Sequence, residues 1–323
     1  MAFANGSRFR ADGQVQDEMA NQQEIERLYD WLDRFHDRCL GEFADLSCGY
    51  FRGDHGKSLQ QAQKDKHDWV LNTLDCGEGA RILDIGSGWG AMLRAAELNG
   101  ASGVGLTLSQ AQAAYCKKKR LNVLLMDWKE AQAAQLGVFD GIVSIGAFEH
   151  FCSIEEFLAG KQEGIYKRFF QLCADVIKSG RKLFLQTMVW DHRVPDPEEC
   201  RLTEPTRSTE RIVARLTKFY PGSWLPVGKE QIIGAALPQF HLVSSINGRD
   251  DYIETLKRWY VAIRGLFGVT KLLPTLKDLL RLAPRYAVDR DFREQIKSIV
   301  CKDQLACFER GIMDHERMFF VRR

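Results

Sequence analysis

Apolar positions along the chain follow two rules, one before about residue 76 and another after residue 81. In the first region they recur at helical spacing. Asn21 and Glu24 form a capping-box start, and Ile25, Leu28, Tyr29, Leu32 and Phe35 then fall on one helix face. A loop, "DLSCGYF" (Asp45–Phe51), separates this segment from a second helix, which the Ser58–Gln61 start predicts to run towards Leu74. From residue 81, short apolar runs alternate with amphipathic stretches. "RILDI", "GVGL", "NVLLM", "GIVSI" and "KLFLQTMV" read as buried strands. "AMLRAAEL" and a segment capped by Ser109 and Gln112 read as helices between them, and "FHLVSSI" and "RMFFV" add two later strands. This βαβα order predicts an α/β fold of Rossmann-like type, with a seven-stranded, mostly parallel sheet covered by helices.

Three regions depart from the plain alternation. Residues 1–20 carry no sustained apolar period and are expected to fray. Residues 190–228 hold five of the eight prolines and read as a loop-rich cap. Residues 252–313 read as a mostly helical insertion between the last two strands. The expected organisation is one domain over 21–323, with residues 21–76 as a helical N-terminal cap and the two insertions as a substrate cap.

Composition narrows the classes. Hydrophobic residues make up 45% of the 323 and charged residues 27%, as in a soluble globular protein. The net charge of +2 provides no global field for nucleic acid. The nine cysteines show neither CxxC nor Cys/His metal spacing, which opposes a structural zinc site and suits a reducing cytoplasm. No apolar run reaches the ~20 residues that a membrane span requires.

Chemistry concentrates first at "LDIGSGWG" (Leu83–Gly90). A strand ends in an acid, and glycines then let backbone approach a ligand where a helix begins. The spacing does not fit the dinucleotide G-x-G-x-x-G pattern, and no P-loop Gly-Lys-Ser/Thr follows. A nicotinamide dehydrogenase is therefore disfavoured. The second feature is "VSIGAFEHF", in which a buried strand delivers Glu149 and His150 side by side, where charge is costly.

The D-x-G-x-G-x-G turn resembles motif I of class I S-adenosylmethionine (SAM) methyltransferases. In most of these an acid ends the second strand; here Thr107 stands there, in "GLTLSQAQ". That substitution, with "LSCGYF", "LDIGSGWG", "IVSIGAFEHF", "FYPGSWLP" and "DDYIETLKRW", resembles the cyclopropane fatty acid synthase family, in particular the mycolic acid cyclopropane synthases. The resemblance implies SAM contacts at Ser47, Asp84, Gly86, Gly88, Gly90, Thr107, Leu108, Gln112, Asp127, Trp128 and Ile145. It implies methyl transfer to an alkene carbon, a carbocation, and proton loss to a bicarbonate ion. Cys48, Glu149, Tyr252 and Gln186 occupy the positions that hold bicarbonate, with His150 beside them; no metal is implied.

The chain departs from the family pattern in four places. Gln186 stands for a strand-five histidine, and Leu46 for an aromatic residue near the SAM carboxylate. The link after Glu149–His150 is long, and residues 265–286 carry an extra apolar stripe, Leu272, Leu273, Leu276, Leu279, Leu280 and Leu282. Both long segments are expected in the substrate cap and point to a substrate other than the long acyl chains of the best-known relatives, still hydrophobic and free, lipid-borne or carrier-borne. For the stripe, an acyl or isoprenoid tunnel, a membrane surface and ordinary helical core all stay open. An N-methyltransferase acting on an amine and a non-catalytic SAM- or lipid-binding protein are the remaining rivals.

Overall fold

The computed structural model describes residue 43, residues 45–266 apart from 192, 203–204, 206 and 220–222, residues 283–284 and 287–288, and residues 302–323. The helix expected over residues 25–35 and the stripe Leu272–Leu282 lie outside the described residues.

Seven strands form one sheet: β1 Arg81–Ile85, β2 Ser102–Thr107, β3 Val123–Leu125, β4 Phe139–Ile145, β5 Ile177–Trp190, β6 Phe240–Asn247 and β7 Met313–Arg322. Their spatial order is β3-β2-β1-β4-β5-β7-β6. The first five are parallel, and β7 runs antiparallel to both β5 and β6. The chain steps from β1 outward to β3 and then returns to place β4 on the other side of β1. This reversal opens a crevice at the carboxyl ends of β1 and β4, the place where open α/β sheets bind ligands.

Helices α1 (Leu59–Leu74), α2 (Ala91–Leu98), α3 (Gln110–Lys118), α4 (Ala133–Leu136), α5 (Ile154–Leu158) and α6 (Gln162–Val176) precede β5. After it come α7 (Pro197–Cys200), α8 (Ser208–Phe219), α9 (Gly228–Ala236), α10 (Arg249–Leu266) and α11 (Lys302–Glu309). The caps read from sequence hold: Ser58 accepts from Gln61 N at the start of α1, and Ser109 from Gln112 N at α3.

Both faces of the central strands are buried, which is why they read as continuous apolar runs rather than alternations. Leu183 and Leu185 join a core with Ile142, Phe148, Phe169 and Phe170, whereas Phe184 joins Val143, Phe319, Val70 and Leu74 under α1. Residues one apart thus serve opposite cores, as the period of two requires. A third core lies beyond the β5 end. It joins Cys48, Trp190, Ile212, Trp224, Tyr252, Leu256 and Phe308, so that α8, α10 and α11 pack on one another.

Three expectations change. β3 is an edge strand, and Leu124 and Leu125 are 36% and 53% exposed instead of buried. The 190–228 segment is less loop-like than its prolines suggest, since α8 spans twelve residues of it. The long link after His150 is mainly α6, whose Phe169 and Phe170 pack in the first core; it is the β4-to-β5 crossover, not a substrate cap. Among the described residues, no helix is long and apolar enough to cross a membrane.

Phe169 is fully buried and packs against Trp128, Phe148, Phe151 and Phe170. Phe169→Ala should therefore cost ~3–5 kcal/mol of stability, read by equilibrium denaturation.

Candidate active site

The glycine turn shows that its glycines serve different purposes. At Gly86 (φ 84°) an added Cβ would lie 2.2 Å from Ala147 Cβ, so packing alone demands glycine there. At Gly88 (φ 52°) and at Gly146 (φ 65°), which follows β4, nothing lies within 4 Å of an added Cβ. These two positions border open space at the ends of β1 and β4, and that opening fits the approach of a cofactor to bare backbone. Gly90 is the left-handed N-cap of α2, and its Cβ would meet Leu121. Asp84, at the end of β1, is buried, and desolvation together with the charge of Asp45 pushes its carboxyl up to about 7.

Other expected cofactor residues line the same sheet edge. Thr107 Oγ1 donates to Gln112 Oε1 (2.6 Å) and accepts from Ser109 N (3.2 Å), which joins the end of β2 to the first turn of α3. Leu108 is 72% exposed. Asp127 accepts from Lys129 N (2.9 Å). Trp128 is buried, with its ring 4.8 Å from Phe151 and 5.6 Å from Phe169, and Ile145 closes β4 half-buried.

Ser47 and Cys48 sit in a loop held by a buried charge network absent from the sequence reading. Lys66 Nζ, fully buried on α1, donates to Asp45 Oδ2 (2.7 Å), Ser47 Oγ (2.5 Å) and Gln63 Oε1 (2.6 Å), using all three ammonium protons. His67 Nε2 lies 2.7 Å from the same Asp45 oxygen, and Gln63 Nε2 donates to Ser47 O (2.7 Å). Burial pushes the Asp45 carboxyl up, but the Lys66 and His67 contacts outweigh it and hold the group well below the usual carboxylate range.

The β5–β7 ladder assembles the expected reaction residues. Gln186 pairs with Arg317 and Met188 with His315. Alternation sets all four side chains on one face of the sheet. Glu149 lies in a 3-10 turn after β4 (Phe148–His150), where its Oε1 accepts from Met188 N (2.8 Å). Its Oε2 is buried with no hydrogen-bond partner among the described residues, and desolvation pushes the carboxyl up to about 7. Arg317 Nη2 donates to Cys48 Sγ (3.1 Å), and Arg317 Nε to Gln186 Oε1 (3.4 Å). Burial pushes the Cys48 thiol up to about 11, even with the guanidinium beside it. The ring of Tyr252 lies 4.9 Å from that of His315, edge to face, and its hydroxyl accepts from Gln304 Nε2 (3.2 Å). Gln304 also contacts Met188 Sδ (3.2 Å).

Cys48, Glu149, Gln186 and Tyr252 are thus linked through Arg317, Met188, His315 and Gln304. His150 is exposed, and its Nδ1 lies 2.5 Å from Ser223 Oγ, tying the turn to the 223–226 segment. Asp45, Lys66, His315, Arg317 and Gln304 escaped the sequence reading. One signal was present: "MDHERMFF" interrupts a strand-like run with four polar residues in succession, of which His315, Glu316 and Arg317 are buried.

A family profile described as mycolic acid cyclopropane synthetase matches residues 16–266. The chain belongs to the mycolic acid cyclopropane synthetase family. It is accordingly a SAM-dependent methyltransferase of class I, Rossmann-like fold. It is 33% identical over 253 residues to cyclopropane mycolic acid synthase 3 of Mycobacterium tuberculosis, covering 74% of this chain and 81% of that one. Over 262 residues it is 30% identical to cyclopropane mycolic acid synthase 2 of Mycobacterium leprae, covering 74% and 79%. Among solved structures, mycolic acid cyclopropane synthase CmaA1 complexed with SAH and CTAB is similar at a TM-score of 0.68 and 26% identity, covering 91% of this chain and 95% of that one.

Two outcomes follow for this family member. Gly88→Val should lower affinity for SAM by roughly tenfold or more in calorimetric titration, because a side chain would fill the open space over β1. Lys66→Met leaves Asp45 buried with one cationic partner fewer and should cost ~3–5 kcal/mol in denaturant unfolding.

Proposed function

We propose that this methyltransferase adds a methyl group to an alkene carbon of a hydrophobic, acyl- or isoprenoid-like substrate. The resulting carbocation then loses its proton to a base held by Cys48, Glu149, Gln186 and Tyr252. The observation that carries this reading is the Glu149 carboxyl. One oxygen is fixed by Met188 N, and the other is buried without a partner among the described residues. A buried polar atom left open in this way suits a small polar molecule.

SAM supplies an electrophilic methyl on a positive sulfonium. Ser47, Asp84, Gly86, Gly88, Gly90, Thr107, Leu108, Gln112, Asp127, Trp128 and Ile145 are the residues we assign to holding it. When the alkene π pair forms the new C–C bond, the sulfur keeps the old bonding pair and positive charge passes to the substrate. Loss of a proton from the added methyl closes a cyclopropane, whereas loss from a neighbouring carbon leaves a methyl-branched alkene. Bicarbonate is the base we assign. Near neutrality Glu149 can meet it either as a hydrogen-bond donor or as an acceptor, since its carboxyl titrates at about 7. The apolar core around Cys48, Trp190, Trp224 and Tyr252 offers the cation no strong nucleophile, and burial keeps the Cys48 sulfur a thiol. We assign residues 21–76, 190–228 and 252–313 of the single 21–323 domain to covering the substrate. Relatives named for mycolic acid, a lipid, support a hydrophobic substrate.

Mass spectrometry with labelled SAM and a panel of unsaturated lipids, acyl carriers and isoprenoids tests the reading. A product heavier by one CH2 unit supports it, and loss of the double bond marks ring closure. Methylation confined to amines would sink it. Glu149→Gln should reduce turnover to S-adenosylhomocysteine by roughly 100-fold or more, while SAM affinity stays within a few fold. Stability gives a second measure. The Glu149 carboxyl keeps its proton up to about 7 in the native state but only to 4.5 in the unfolded chain. The native state therefore loses stability as pH rises from about 4.5 through about 7. Glu149→Gln removes this share, so the melting temperature of the variant relative to the parent should climb across that window.

A further inference from the structure

Arg317 is 1% exposed, a charge buried inside the β5–β7 ladder. Its guanidinium donates from Nε to Gln186 Oε1 (3.4 Å), from Nη1 to Asp251 Oδ2 (2.8 Å), and from Nη2 to Gly49 O (2.7 Å) and Cys48 Sγ (3.1 Å). The ring of Tyr50 covers it at 5.0 Å. A guanidinium is donor only. The Gln186 carboxamide beside it must therefore turn its oxygen to Arg317 and its NH2 away. That NH2 has no partner among the described residues, although Gln186 is 1% exposed. Two residues further along the same strand, Met188 N holds Glu149, whose Oε2 also lacks a partner among the described residues. An unpartnered donor on Gln186 and the unpartnered oxygen of a carboxyl anchored at Met188 N are thus set two residues apart along β5.

We propose that Arg317 is a positioning residue for the reaction centre: by taking the Gln186 oxygen, it commits the carboxamide N–H groups to an oxyanion beside Glu149. The proposal rests on the reading above that a base is held at this end of β5. It also explains how glutamine serves where the family pattern has histidine. Left free, a carboxamide presents oxygen or nitrogen with equal ease; next to Arg317 it presents nitrogen. The same guanidinium occupies a lone pair of Cys48, which leaves the thiol a neutral, oriented group. Asp251 balances the charge, so the site gains a fixed donor without a free cation near the carbocation.

The test uses full-length protein saturated with S-adenosylhomocysteine, titrated calorimetrically with sodium bicarbonate in otherwise CO2-free buffer, and melted in parallel. Gln186→His retains one acceptor for Arg317 and one N–H, and should bind bicarbonate within about threefold of the parent. Gln186→Glu retains the acceptor alone; it should melt above Gln186→Met yet bind bicarbonate about tenfold or more weaker. Arg317→Lys keeps a charge for Asp251 but loses the fork, and should weaken bicarbonate by about tenfold as well. A purely packing role would move melting and binding together and would not separate the histidine from the glutamate variant. Parent-like bicarbonate binding by Gln186→Glu, or a melting point below that of Gln186→Met, overturns the assignment of Arg317. If the parent itself takes up no bicarbonate, the oxyanion reading of the site fails, and the melting order of the Gln186 variants alone decides whether Arg317 orients the carboxamide.

Discussion

The antiparallel register of β5 against β7 is the constraint on which the site depends. Nine consecutive pairs, from Lys182–Val321 to Trp190–Met313, lock a strand carrying His315 and Arg317 beside one carrying Gln186 and Met188. A slip of one residue would turn Arg317 towards the opposite face, where Leu183, Leu185, Met318 and Phe320 pack in the first core, and would bring those apolar side chains to the charged face. The hydrophobic requirement on one face therefore fixes the polar arrangement on the other. Gly248 completes the constraint: a Cβ there would lie 2.3 Å from His315 Nδ1 and 3.0 Å from Arg317 Cζ, so the chain entering α10 can approach the ladder only without a side chain.

Among the described residues, buried ion pairs fall in two places, and both orient loops rather than add to the core. The Asp45–Lys66–His67 group clamps the Ser47–Cys48 loop to α1, and Arg317–Asp251 joins that loop to β7 and α10. Such pairs contribute little net stability against an apolar alternative, but each is costly to break singly, so they specify one geometry. The raised carboxyls of Asp84 and Glu149 lie at the ends of β1 and β4; burial is the largest cause of both shifts, and the charge of Asp45 adds to that of Asp84. The ends of β1 and β4 thus share one device, a buried carboxyl that desolvation pushes up to about 7.

Legibility followed the range of the interactions. Strand runs, the caps at Ser58 and Ser109 and the glycine turn depend on neighbours in sequence and could be read directly. Glu149 was legible because an acid at the end of a buried strand is costly enough to need a reason. The substrate-cap reading of the link after His150 went astray because an apolar helix in a cap and a crossover helix have the same periodicity; only packing of Phe169 and Phe170 against the sheet separates them. The leucines of β3 misled in the same way, since an edge strand and a central strand of three residues look alike.

By itself the sequence determined the α/β class, the family and the residue types available at each strand end, because these follow from periodicity, glycine spacing and local motifs. Tertiary structure alone decided which of those residues meet. Cys48 and Arg317 are 269 positions apart, and Gln186 and Arg317 are 131 apart, yet all three share one guanidinium. No local pattern encodes such a contact. It arises when β7 inserts between β5 and β6 to bury its apolar face, and that closure turns Gln186 from a departure in a motif into an oriented donor.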